Sequence, residues 1–188
     1  MNLDDIKTLL PDYAKDLRLN LDSVLSESGA PGLNAKQIAI IALASAIASR
    51  HVPLTTAVAA HVAGSLSEAE ANGARAAAAI MAMNNIYFRF LHLSSNPKYA
   101  TMPAKLRMNV LRTHGADAAD FELWSIAERA INGCGKCVDD HENVLWQKGV
   151  TGENIAAEIR GAADLNAIET KLDAATVTVT VAVSADHD

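Results

Sequence analysis

Apolar residues recur along this chain at helical spacing almost throughout. Leu3, Ile6, Leu9 and Leu10 open an amphipathic segment, and beyond Pro11 one face continues through Leu17, Leu21, Val24 and Leu25. Ser28-Gly29-Ala30-Pro31-Gly32 reads as a loop. Asn34 is placed to cap an apolar helix running through Ile38, Ile41, Ala42 and Ser45. His51-Val52-Pro53 interrupts it, and Leu54 to Val62 predicts a short helix. Ser67 with Glu70 matches a capping box and opens a long helix towards Leu93, which Ser94-Ser95-Asn96-Pro97 ends. Pro103 suits the first turn of a helix carrying Leu106, Val110 and Leu111. The next helix starts at Asp120 or a neighbour, carries the stripe Phe121, Trp124, Ala127 and Ile131, and breaks at Asn132-Gly133. Another runs from Cys134 to about Lys148, with Gly149 as its closing residue. Thr151 with Asn154 begins the last.

Two stretches depart from this rhythm. Thr176 to Val181 alternates Thr and Val with the period of a strand, with no second strand to pair with. Residues 176–188 are therefore expected to form an irregular or mobile tail to a single domain spanning 1–175. Ala79-Ile80-Met81-Ala82-Met83-Asn84-Asn85-Ile86 also aligns without gaps on Ala130 to Cys137, a weak echo of a duplicated helical unit whose first copy has no cysteines.

Composition supports the helical reading. Half of the 188 residues are hydrophobic but only 4% are aromatic, so the apolar mass is mostly Ala, Leu, Ile and Val. Alanine has the highest helix propensity and lets helices approach closely, which points to an all-α domain. The net charge is -6, with no cluster of Lys and Arg to displace counterions from phosphates, which argues against a nucleic-acid binder. The acidic start Met1 to Asp5 has no apolar core of a signal peptide, and Ile38 to Ala48 is too short and alanine-rich to span a bilayer. A soluble, cytoplasmic protein with no membrane partner is expected.

The candidate chemistry lies in Cys134-Gly135-Lys136-Cys137, the chain's two cysteines. At positions i and i+3 of a helix start their sulfurs can come within disulfide reach. The unpaired N–H groups and positive dipole end there favour thiolate over thiol. His141, four residues after Cys137, lies on the same helical face, where imidazole can take the thiol proton. Glu122 stands beside the Phe121/Trp124 stripe, one helix earlier, where a helix hairpin would bring it near His141. Other readings stay open. Zinc would have three ligands in Cys134, Cys137 and His141 but lacks a fourth, and the cysteines could be an inert buried pair, although Lys136, Asp139 and Asp140 imply a helix start near solvent. Haem attachment is excluded because Val138, not histidine, follows Cys137. His51, His61, His92, His114 and His187 have no marked spacing, so surface or packing roles are expected of them.

The segments Phe121-Glu122-Leu123-Trp124-Ser125 and Ala130-Ile131-Asn132-Gly133-Cys134-x-x-Cys137-x-x-x-His141-Glu142 closely resemble the AhpD alkyl hydroperoxidases of the carboxymuconolactone decarboxylase-like superfamily. Leu10 to Asp16, Ala79 to Asn85 and Leu106 to Asn109 extend the likeness over roughly residues 1–165. The resemblance implies an all-helical fold with a repeated helical unit, assembled as a homotrimer and holding no bound cofactor or metal. It implies a lipoyl-dependent peroxidase that also restores the peroxiredoxin AhpC. Electrons would come from a dihydrolipoyl protein of acyltransferase type, kept reduced by an NADH-dependent dehydrogenase. Carried over by motif, Cys137 becomes the sulfenic acid, Cys134 is its proton donor and resolving partner, and His141 and Glu122 form a proton relay that runs partly through water. Two departures stand out: Lys136 replaces a histidine often found before the second cysteine, and residues 176–188 do not read as helical. The alternatives to the peroxidase are a disulfide-reductase adaptor serving a peroxiredoxin and a thiol- or zinc-based binding protein.

Overall fold

The computed structural model describes residues 1–174. Its helices are α1 (Leu3–Thr8), α2 (Lys15–Val24), α3 (Ala35–Ala48), α4 (Val52–Val62), α5 (Glu68–Leu93), α6 (Val110–Thr113), α7 (Ala118–Ile131), α8 (Gly135–Gln147) and α9 (Gly152–Ala174), with no strand among the described residues. The alternating segment from Thr176 lies outside those residues.

Most helix boundaries follow from local capping chemistry. Asn2, Asn34 and Ser67 each form a full capping box with the residue three positions on, so two orphan amides are satisfied at each start. α7 is capped by Asp117, three residues ahead of Asp120. The Asp117 carboxylate accepts from the amides of Ala119 at 2.7 Å and Asp120 at 3.2 Å, and these bonds hold its pKa below the usual carboxylate value. The helix expected from Pro103 does not form. Met102 is extended, as a residue before proline prefers, and Lys105 takes a left-handed φ of 53°. Only Val110–Thr113 is helical there; Leu111 packs against the core, but Leu106 stays exposed among the described residues, so only the end of that apolar stripe finds a surface to bury against.

The core is organised around α3. Every residue from Ile38 to Ala46 is buried, and the helix packs on α4, α5, α7 and α9. A helix enclosed on all sides needs no polar face, and its alanines let four neighbours approach. Gly73 of α5 serves the same end: a Cβ there would stand 3.1 Å from the indole of Trp124, the largest fully buried side chain.

A repeat is present, but not where the sequence echo put it. Residues 79–86 lie inside the unbroken α5, whereas 130–137 cross the break between α7 and α8. The matching units are α3–α4–α5 and α7–α8–α9. Their first two helices start 83 positions apart (118 − 35 and 135 − 52), and the links carry a left-handed residue at equivalent places, Arg50 with φ 65° and Gly133 with φ 68°. Under this register Cys134 corresponds to His51, Cys137 to Leu54, His141 to Val58 and Glu122 to Ala39. The first unit thus carries three apolar residues and a histidine cap where the second carries its reactive groups. The echo misled because shared Ala-Ile pairs arise readily in an alanine-rich chain, while the repeat survives in helix lengths and link geometry.

Two acids lie in the packed interior. Glu158 of α9 is 0% exposed with no hydrogen-bond partner at either carboxyl oxygen, and Asp164 is nearly as buried, with Asn20 of α2 beside its carboxyl. Burial, aided by the nearby Asp120 charge, raises Glu158 well above the ordinary carboxyl range, and burial raises Asp164 to about 7. Both therefore keep their protons in the folded chain over a pH range where the unfolded chain has lost them. The folded state binds more protons there, so stability declines as pH rises from about 4 through about 7 and beyond. Glu158→Gln is expected to remove part of this decline, raising unfolding free energy by roughly 1–3 kcal/mol at about pH 8 with little change at about pH 4. Denaturant titrations at the two pH values check this, and equal gains at both would contradict it.

Candidate active site

α7 and α8 form a helical hairpin around the cysteines. Gly133 takes its positive φ without strain and turns the chain. The amide of Cys134 donates back to the carbonyl of Arg129 at 3.2 Å, and the Cys134 carbonyl accepts from Val138 at 3.0 Å. Cys134 is thereby the N-cap of α8, with Cys137 as its third residue. Their Cα atoms are 5.3 Å apart and their sulfurs are joined in a disulfide. A thiolate released here faces the orphan amides of the first turn.

The hairpin brings Glu122 and His141 together as the sequence led us to expect. Glu122 Oε2 lies 2.6 Å from His141 Nδ1. The solvent-near cysteines do not follow the expectation so simply. Gly135 and Lys136 are exposed, but Cys134 and Cys137 are only 2% and 4% accessible. Lys136 turns outward to pair with Asp140 at 3.2 Å. In this oxidised state no hydrogen bond joins His141 to either sulfur.

The other histidines fall mostly where expected. His61 and His92 are exposed, and His114 stacks on Phe121 with centroids 4.0 Å apart. His51 caps α4 by accepting the Leu54 amide at its Nδ1, 3.1 Å away. His187 lies outside the described residues. Among the described residues, no group of three or more His, Cys, Asp or Glu is placed to hold a metal ion.

Sequence reasoning missed the polar cluster behind the hairpin. Arg129 is 3% exposed; its Nε donates to His141 Nε2 at 3.3 Å and its Nη1 to Asn85 Oδ1 of α5 at 2.8 Å. Burial lowers Arg129 to about 10, leaving it cationic near neutral pH. Burial likewise raises the adjacent Glu128 to about 8, against the pull of Arg129 and Arg50. Arg89 of α5 donates to the Asn132 carbonyl at 2.6 Å, and Asn132 Nδ2 to the Glu128 carbonyl at 2.9 Å. The available signal was spacing: Arg129 follows Glu122 by seven residues, which returns it to the same side of α7.

Such a site, a cysteine pair capping one helix and a Glu–His contact across a helical hairpin, belongs to the class of helical thiol proteins. The model of the carboxymuconolactone decarboxylase family matches residues 97–180. The chain is 48% identical over 182 residues to the alkyl hydroperoxide reductase AhpD of Rhodopseudomonas palustris (strain BisA53), covering 97% of this chain and 99% of that one. It is 51% identical over 174 residues to the AhpD of Acidobacterium capsulatum, covering 93% and 94%, and 47% identical over 175 residues to that of Brucella suis, covering 93% and 98%. The chain belongs to the AhpD family of alkyl hydroperoxide reductases.

The juxtaposed sulfurs carry an expected outcome. Cys134 and Cys137 should interconvert reversibly between dithiol and disulfide. Mass spectrometry of air-oxidised protein should show loss of two hydrogens in the peptide that spans them, restored on reduction. Two free thiols after oxidation, or a disulfide that no dithiol opens, would contradict it.

Proposed function

We propose that this chain is a lipoyl-dependent alkyl hydroperoxide reductase working through Cys137, Cys134, His141 and Glu122. In the reduced enzyme His141 takes the Cys137 proton while Glu122 steadies the resulting imidazolium. The Cys137 thiolate attacks the terminal peroxide oxygen; the O–O bond breaks, a sulfenic acid forms, and the leaving alkoxide takes a proton from His141 to become the alcohol. Cys134 then attacks the sulfenic sulfur, forming the disulfide and releasing water. A dihydrolipoyl group restores the dithiol by exchange, supplying both electrons and becoming a disulfide itself.

The observation that carries this reading is the 2.6 Å contact of Glu122 with His141, one helical turn from Cys137. A carboxylate at Nδ1 orients the ring, as a base serving a thiol requires. The near identity of chain length with AhpD relatives supports extending the reading to AhpC and to a dihydrolipoyl acyltransferase-type protein with its NADH-dependent dehydrogenase. A homotrimer is proposed on the same likeness. Ile86, Phe90 and Leu93 are exposed along one side of α5, with Phe90 against Tyr99 at 5.0 Å, an apolar strip that assembly would cover. Among the described residues no helix is long and apolar enough to cross a membrane, and a cytoplasmic location is proposed.

The test is NADH consumption with lipoamide, its dehydrogenase and an alkyl hydroperoxide, with and without a purified peroxiredoxin. Consumption without the peroxiredoxin is expected. Consumption only in its presence would assign the adaptor role instead. In the same assay His141→Phe should slow peroxide reduction roughly 10²–10⁴-fold, the range for loss of a general base. Glu122→Gln should act in the same direction but less, since it works through His141. Wild-type rates in the His141 variant would remove histidine from the mechanism.

A further inference from the structure

His141 is held at both ring nitrogens by one helix. Glu122 meets Nδ1 at 2.6 Å, and two turns further along α7 the Arg129 Nε donates to Nε2 at 3.3 Å. A guanidinium can only donate, so Nε2 must present a lone pair, and Nδ1 is left to donate its proton to Glu122. That pattern poses a difficulty for the proton relay. With Nδ1 committed to Glu122, Nε2 is the nitrogen free to receive a thiol proton, and here Arg129 occupies it.

Arg129 is built into this position rather than resting there. It is 3% exposed, Asn85 of α5 holds its Nη1 at 2.8 Å, and its own carbonyl receives the Cys134 amide at 3.2 Å. Asn85 is fixed in turn by donating to the Glu128 carbonyl at 3.4 Å. The other charged groups near the pair are Glu122 and Glu128 on α7, Arg89 of α5, Arg50 beyond α3, and Asp140 on α8, itself paired with Lys136.

We propose that Arg129 is a positioning residue that takes the proton-accepting nitrogen of His141 while Cys134 and Cys137 are joined, and gives it up to the Cys137 thiol on reduction. This deepens the reading above and rests on His141 as proton acceptor. In the disulfide state there is no thiol proton to move, and the Arg129 bond keeps the ring neutral and aligned. After reduction the Cys137 proton passes to Nε2, and sulfur keeps the bonding pair as thiolate. Nε2–H can then no longer accept from Arg129, and two adjacent cations repel. The guanidinium is left to face the new thiolate, which its charge stabilises. One arginine thus serves as a clamp in one redox state and a counter-charge in the other.

The experiment is nitrogen-15 NMR of the His141 ring across a pH series in oxidised and reduced protein, for wild type, Arg129→Met and Arg129→Lys. In oxidised wild type the ring should resist protonation more than in reduced wild type. Arg129→Met should move the oxidised midpoint upward by about one pH unit or more and shrink the difference between redox states. Arg129→Lys keeps the charge but cannot place a planar Nε–H at the ring, so it should restore less than half of the difference. If Arg129→Met does not fold, Asn85→Ala, which frees the guanidinium while keeping it, should shift the oxidised midpoint the same way. Identical oxidised titrations in wild type and whichever variants fold would overturn the proposal. His141→Phe separates the two readings: an unchanged pH for Cys137 thiolate formation in that variant removes His141 as acceptor, whatever Arg129 does.

Discussion

Because Gly133 takes a left-handed φ that residues with side chains adopt only at some cost, α7 stops at Ile131, α8 starts at Gly135, and Cys134 becomes the cap between them. The last carbonyls of α7 would be orphaned at such a reversal. They are met instead by Arg89 on the Asn132 carbonyl, by the Asn132 amide on that of Glu128, and by the Cys134 amide on that of Arg129. These bonds fix the angle between α7 and α8, and that angle sets whether Glu122 reaches His141 and whether the sulfurs sit one turn from the ring. The chemistry depends on a turn closed largely by main-chain carbonyls and one cation of a third helix, Arg89.

Much of this was legible in the sequence. The cap at Asn34, the capping box at Ser67, the break at Asn132-Gly133 and the i,i+3 cysteines each encode their local structure, because the partners involved are only a few residues apart in the chain. The Glu122–His141 meeting was also readable, since a tight turn between two helices leaves little freedom in how they lie together. The Pro103 helix was not. Its stripe obeys helical spacing, but spacing carries no information on whether a surface exists to bury it. Arg129 escaped for a related reason: a buried arginine looks like any surface arginine until the amide that anchors it, Asn85, is brought from another helix.

Behind the hairpin the interior holds more ionisable side chains than a hydrophobic count suggests. Arg129 and Glu128 stand side by side and partly offset one another, while Glu158 and Asp164 are buried on α9 with no opposite charge beside them. Replacing such groups by apolar residues of similar volume often stabilises a fold. The first helical unit has neither charge at the matching places: Ala46 and Ser45 stand where Arg129 and Glu128 stand under the 83-residue register.

The two matched links differ in what ties their caps. At α4, His51 is joined to the residue three places on by a hydrogen bond from the Leu54 amide; at α8, Cys134 is joined to Cys137 by a covalent bond. Electrons delivered to the protein can cut only the second. The start of α4 therefore holds no bond that a reductant opens, and of these two matched helix starts only that of α8 is tied by one that reduction can open.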